Sequence, residues 1–122
     1  MAHPYFLRPL TGALLGLVLS LFGLSSGAVA DPPAATYSFT ILEVPGATET
    51  RPTSINNDGQ VAGYYLDGFI SHGFVWSNGT FTTLDPPGAN HSSASSINDN
   101  GQVVGYGEDA SGTTSGFIVT PQ

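Results

Sequence analysis

The chain has 122 residues, no cysteine and a formal net charge of −7. This length allows one domain at most, and the absence of cysteine excludes a fold built on disulfides. The acidity makes nucleic acid and anionic membrane surfaces poor partners, because both carry charge of the same sign.

Residues 1–30 have the layout of a secretory signal peptide. Arg8 lies in a short basic head, residues 10–24 form an apolar run, and an Ala-Val-Ala site predicts cleavage before Asp31. The alternative is an uncleaved anchor, since the run extends toward the length that spans a bilayer. We expect a secreted protein, extracellular or periplasmic, without membrane attachment after cleavage. Cleavage leaves Arg51 against nine acidic residues, a net charge of −8.

The rest of the chain is an internal repeat. After a short linker, residues 31–36, the domain at 37–122 contains two copies of one unit with a period of about 42 residues. FTILEVPGATETRPTSINNDGQVAGY, from residue 39, aligns without a gap with FTTLDPPGANHSSASSINDNGQVVGY, from residue 81. Fourteen of these twenty-six positions are identical, which excludes chance similarity. A period of this size with short strands is typical of propeller blades and related β repeats.

Every local signal in the repeat is β. Runs of β-branched and aromatic residues predict strands, and the Asp-Gly or Asn-Gly pairs at 58–59, 78–79 and 100–101 predict hairpins with type I′ turns. The predicted strands lie at 53–56, 60–65, 73–77 and 80–84 in the first copy and at 95–98, 102–106 and 116–120 in the second.

The second copy ends one strand short, and the counterpart of the missing strand precedes the first copy. Residues 38–44, SFTILEV, are the copy of residues 80–86, TFTTLDP. We therefore predict an all-β fold of two four-stranded antiparallel units resembling propeller blades, with the N-terminal strand completing the C-terminal unit. Such sharing between first and last strands leaves no long open edge.

The motifs SINNDGQVAGY, HGFVW and NGTFTTLD together resemble the HAF family of extracellular bacterial repeat proteins. The family's Ile-Asn-x-x-Gly-Gln-Val-x-Gly hairpin stands here at 55–63 and 97–105. Residues 72–74 read His-Gly-Phe where the family has His-Ala-Phe, and residues 115–117 lack the His. The resemblance covers residues 37–120 and implies a propeller-like fold and an extracellular location, with no reaction attached.

Two repeats are too few for a closed propeller, which needs about four to eight blades. The chain either folds alone as a sandwich of two sheets, joins other copies in a ring of blades, or is a fragment of a longer repeat array. We favour the sandwich as the description of the monomer. Its predicted core consists of Phe39, Ile41, Ile55, Val61, Phe74, Trp76, Phe81, Leu84, Ile97, Val103, Phe117 and Val119.

Metal and catalytic chemistry have little support in the sequence. His72 and His91 with Asp67 lack the number and spacing of ligands that a zinc site requires. Asp58 and Asp99 are weak calcium candidates, because each turn offers one carboxylate where calcium takes about six to eight oxygens. We predict no catalytic residue, no metal and no cofactor.

Aromatic side chains carry the binding hypothesis. Tyr64 and Tyr106 are equivalent in the repeat, and a surface lined by both would suit ring stacking with a glycan or another protein. We predict a structural or interaction module, not an enzyme, that binds copies of itself, an extracellular protein or a glycan. The alternative is a secreted carbohydrate-active hydrolase or lyase using carboxylates. It requires a pocket that brings Asp67, Asp85 or Asp99 together with a histidine.

Overall fold

The computed structural model describes residues 30–122. The predicted signal peptide therefore lies outside the described residues, except for Ala30 at its end. The chain divides into two units, residues 1–41 and 42–122. In the first unit the described residues, 30–41, form neither helix nor strand. The described part of the chain contains no helix with the length and apolarity needed to cross a membrane.

The second unit is all-β, as predicted, and consists of seven strands in two antiparallel sheets. The strands are β1 (Glu49–Ile55), β2 (Val61–Asp67), β3 (Ile70–Ser77), β4 (Thr80–Leu84), β5 (Ala89–Ile97), β6 (Val103–Asp109) and β7 (Thr114–Val119). The first sheet has the order β1-β2-β3-β4 and the second has the order β5-β6-β7. Neighbouring strands are consecutive in the chain, so both sheets are built from hairpins.

The second sheet has three strands, so the prediction of two four-stranded units is wrong for the C-terminal copy. Residues 38–44 form no strand, and the predicted N-terminal strand does not complete that sheet. The reason lies where this segment ends. Val44 is bonded to β1, since its N–H donates to Thr50 Oγ1 of that strand at 3.0 Å, and its carbonyl accepts from Ala47 N at 3.0 Å. The C-terminal end of the segment therefore lies beside β1, an edge strand of the first sheet.

The hairpin turns differ in type from the prediction at two of three places. Asn78 and Gly79 have φ of 48° and 89°, as the predicted type I′ turn requires. At 58–59 and 100–101 only the glycine has positive φ. Gly59 N donates to the carbonyl of Asn56 at 3.1 Å, which makes a type I turn followed by a left-handed glycine, the usual three-residue hairpin loop.

The side chain of Asn56 selects this loop and explains the spacing of Asn and Gln in the repeated motif. Its Oδ1 accepts from the backbone N–H of Asp58 at 3.1 Å and of Gln60 at 2.9 Å. Its Nδ2 donates to Oε1 of Gln60 at 2.8 Å. Asn98 makes the equivalent three bonds in its own turn. The carboxamide thus satisfies backbone groups that a free loop would leave to water.

The two sheets meet through small side chains, with β5 lying against β1, β2 and β3 of the first sheet. Gly73 permits this approach, because a Cβ there would lie 3.0 Å from the carbonyl oxygen of Leu84 and 3.2 Å from the N of Ala94. The core is correspondingly small. It consists of Ala62, Ala94, Ile97 and Val103, with Val75, Leu84 and Val119 packed against them.

The predicted core is correct for four residues, namely Val61, Phe74, Ile97 and Val103, which are buried. Phe39, Ile41 and Ile55 are exposed, and their assignment to the core is wrong. The other five, Trp76, Phe81, Leu84, Phe117 and Val119, are half-buried. Ile55 is 68% exposed and its counterpart Ile97 is 6% exposed. The difference arises because Ile97 lies on the face that meets the other sheet, whereas Ile55 lies on a face turned away from it.

Candidate functional site

Hydrogen bonds between the two copies join equivalent positions. Thr53 Oγ1 donates to the carbonyl of Ala94 at 2.9 Å, and Asn56 Nδ2 donates to the carbonyl of Asn98 at 3.0 Å. The partners are 41 and 42 residues apart, close to the repeat period. β1 therefore lies beside β5 with each residue near its own counterpart.

Asp99, one of the two calcium candidates, closes this contact between the copies. Its Oδ1 accepts from the backbone N–H of Asn57 at 2.9 Å, and its Oδ2 accepts from Asn57 Nδ2 at 2.7 Å. Asp58, the other candidate, contributes its backbone N–H to the Asn56 turn. Among residues 30–122, no three His, Cys, Asp or Glu side chains are grouped so that they could hold a metal ion. The carboxylate of Asp99 joins the two copies through its hydrogen bonds with Asn57.

The contacts of Asn56 and Thr53 with the second copy are not reciprocated by their counterparts. Asn98 is the counterpart of Asn56, yet its Nδ2 donates only to Gln102 Oε1, at 2.9 Å, within the described part of the chain. Ser95 is the counterpart of Thr53, lies at the same bulge position of its strand, and is exposed. A contact that is not reciprocal is heterologous, and the same surface of the second copy stays available for a further unit.

The face of the second sheet that is turned away from the first sheet is apolar and exposed. Val104, Tyr106 and Ile118 are 44%, 49% and 71% exposed, and we call these three residues the open face. Val104 and Ile118 form a cross-strand pair. Their counterparts Ala62 and Val75 form the same pair in the first sheet and pack at the core. One repeat position is therefore covered in the first copy and uncovered in the second.

The structure places Tyr64 and Tyr106 on different surfaces. Tyr106 belongs to the open face, whereas Tyr64 is on the Ala62 side of the first sheet, which faces the second sheet. Tyr64 is paired across the strands with Arg51, whose side chain forms an ion pair with Glu49. The hydrogen bond and negative charge of Glu49 raise the pKa of the Arg51 guanidinium. The two rings do not line one surface within a chain.

A second polar cluster links β3, the end of β4 and β5. His72 Nδ1 lies 2.8 Å from Asp85 Oδ2, and Ser92 Oγ donates to Asp85 Oδ1 at 2.5 Å. Gly73 N donates to Ser92 Oγ at 2.7 Å, at the last residue pair between β3 and β4, in which Gly73 lies opposite Leu84. The ring of Tyr65 stacks on His72 with centroids 5.2 Å apart. Sequence reasoning considered Asp85 and His72 but missed Ser92, which stands in a serine-rich run without a motif.

The order of groups in this cluster differs from that of a hydrolase triad. In a triad the histidine lies between the hydroxyl and the carboxylate, so that the imidazole takes the proton of the nucleophile. Here the carboxylate of Asp85 lies between Ser92 and His72, and Ser92 is 1% exposed. The arrangement satisfies the backbone N–H of Gly73 within β3 and holds Asp85 in place.

Replacing Ser92 with Ala is expected to lower the free energy of unfolding by about 1–3 kcal/mol, because Gly73 N and Asp85 lose a buried partner. Urea titration followed by fluorescence measures the change. Ser93→Ala is the matched control, since Ser93 is 6% exposed and its hydroxyl makes no hydrogen bond within residues 30–122. Equal effects of the two replacements would contradict the role assigned to Ser92.

Comparisons with known proteins do not assign this chain to a family. Protein-family models, curated proteins and solved structures give no match. The resemblance of the repeated hairpin to HAF repeats stays a prediction. The geometry of the two sheets therefore carries the functional conclusion.

Proposed function

We propose that this chain is a secreted structural or interaction module that binds its partner through the second sheet. The observation that carries the proposal is the difference in burial between equivalent pairs. Val104 and Ile118 are exposed, while Ala62 and Val75 pack at the core. The exposed face is apolar, and its equivalent in the first copy is buried against another sheet. An exposed apolar patch of this kind indicates a surface for protein association.

The direction of the contacts between the copies supports association with another repeat unit. Asn56 and Asn57 bond to the turn of the second copy, and the equivalent groups of the second copy lie at an exposed turn. Heterologous contacts of this kind build rings when the rotation closes and open arrays when it does not. A homo-oligomeric ring of blades, resembling the HAF repeats outside the cell, is the proposed assembly. An extracellular protein or a glycan at Tyr106 is the other type of partner.

Replacing Val104 and Ile118 together with Asp is expected to weaken this association at least tenfold, which is about 1.4 kcal/mol. The charges remove apolar area from the interface and would be desolvated in it. The measurement is the molar mass of the full-length chain, as a bacterial host processes it, by light scattering over a range of concentrations.

Phe69→Asp provides the control, because Phe69 is 99% exposed and lies in the β2–β3 turn, outside the open face. This replacement should leave the molar mass unchanged. The proposal of self-association is overturned if the unmodified chain is a monomer at every concentration, or if the open-face and Phe69 variants have the same mass distribution.

A hydrolase or lyase is the second candidate function, and the contact between Asp85 and His72 is the observation that favours it. Asp85 is the one member of the three acids considered for a pocket that bonds to a histidine in the described residues. Both of its oxygens already have partners, one in His72 and the other in Ser92. We rank the binding module first because the open-face side chains are exposed, whereas both oxygens of Asp85 are engaged within the chain.

A further inference from the structure

Within residues 30–122, β7 pairs only with β6, so its outer edge has no strand beside it, and it lacks the residues that usually protect an edge strand. β7 has the sequence TSGFIV, with no charged residue and no proline. β1, an edge strand of the first sheet, contains Glu49, Arg51 and Pro52. Charges and proline discourage the addition of another strand, so the edge of β7, unlike the edge of β1, can accept one.

In the first copy the equivalent edge is covered. β3 is the counterpart of β7 and pairs with β4, with Val75 opposite Thr82. Residues 38–44 repeat the sequence of β4, since Phe-Thr-x-Leu stands at 39–42 and again at 81–84. These residues form no strand in the described chain, and Ile41 is 58% exposed.

We propose that residues 38–44 of a second copy of this chain add to β7 as the fourth strand of the second sheet. The inference rests on the proposed function and names the segment through which the copies associate. Transferring the β3–β4 register places Thr40 of the second copy opposite Ile118, and Ile41 of the second copy opposite Phe117. Backbone hydrogen bonds supply the affinity, as in other cases of strand addition.

The connection after the segment explains why a second copy is the donor. β4 passes through a turn, where Ala89 N donates to the carbonyl of Pro86 at 3.1 Å, into β5, which packs on the first sheet. Residues 38–44 pass through the corresponding turn, from Ala47 N to Val44 O at 3.0 Å, into β1. Strand addition therefore brings the donor's first sheet toward the open face of the acceptor, just as β5 is brought to the first sheet within one chain.

Disulfide trapping tests the register directly, because the chain has no cysteine of its own. A full-length Thr40→Cys chain is mixed with an isotope-labelled Ile118→Cys chain under mild oxidation, and the disulfide-linked peptide that joins positions 40 and 118 is quantified by mass spectrometry. Residues opposite each other in antiparallel strands are about 4.5–5.5 Å apart at Cα, within disulfide reach. We expect at least five times more of this product than from the control mixture of Glu43→Cys with Ile118→Cys, which is three residues out of register.

Equal yields from the two mixtures would overturn the proposed addition of residues 38–44 to β7 of another copy. The proposal is also overturned if a chain that carries both Thr40→Cys and Ile118→Cys forms the disulfide only within itself, with no disulfide between chains. Thr40→Pro separates this inference from the proposed function, since proline removes a strand N–H at a residue outside the folded sheets. Loss of the oligomer in Thr40→Pro, with thermal stability retained, supports the strand addition. An oligomer that persists in Thr40→Pro but dissociates in the open-face variant overturns the strand addition and still supports the proposed function.

Discussion

Replacing Gly63 with Ala is expected to lower the free energy of unfolding by about 3 kcal/mol or more, enough to unfold much of a marginally stable chain. A Cβ at this position would overlap the carbonyl oxygen of Arg51 and lie 2.8 Å from the Cα of Pro52. Both atoms belong to the backbone of β1, next to a bulge between Pro52 and Ser54. The backbone has no rotamer to change, so the strand pairing itself must shift. Urea unfolding monitored by circular dichroism measures the loss.

Gly116→Ala is the matched control in the other sheet. The nearest atom to a Cβ at Gly116 is the carbonyl oxygen of Gly105 at 3.7 Å, an ordinary contact. Alanine there should be neutral or stabilise the chain by up to about 1 kcal/mol, because it reduces the freedom of the unfolded chain. A Gly63→Ala variant as stable as Gly116→Ala would show that the close approach of β1 and β2 is not required. Gly105 has the same environment as Gly63, against the carbonyl of Ser93, which explains the last glycine of the repeated motif.

Replacing Asn56 with Ala is expected to destabilise the chain by about 2–4 kcal/mol, because it removes four hydrogen bonds from a side chain that is 8% exposed. Two of these bonds satisfy backbone N–H groups of the hairpin loop. One joins the copies through the carbonyl of Asn98. The loss is measured by thermal and urea unfolding of the purified chain.

Asn98→Ala tests how much of this effect comes from the contact between the copies. Asn98 makes the same bonds in its own turn but is exposed, so its loss is expected to cost about 1 kcal/mol. The difference between the two variants measures the contribution of burial at the junction. If both replacements cost the same, the hydrogen bond from Asn56 to the carbonyl of Asn98 contributes nothing to stability, which contradicts the role assigned to Asn56 at the junction.

Of the three residues of the open face, the sequence predicted only Tyr106 as a binding residue. Tyr106 was identified from aromatic content and its repeat partner Tyr64, and the structure leaves only Tyr106 on the open face. Val104 and Ile118 alternate with the predicted core residues Val103, Phe117 and Val119. Alternation places them on the outer face of the sheet but does not indicate that this face is an interface. Ser92 was missed because one serine in a serine-rich strand has no periodicity or motif to distinguish it.

The sequence by itself determined the all-β class, the two copies and the places of their hairpins. Those features depend on local chemistry: alternation, Asn and Gly in turns, and Asn with Gln at a fixed spacing. Only the tertiary structure decided which copy of each position is buried. Val104 and Ala62 occupy the same place in the repeat, yet one is 44% exposed and the other is fully buried. Burial depends on having a neighbouring unit, and within the described chain the first sheet has one on this side whereas the second sheet does not.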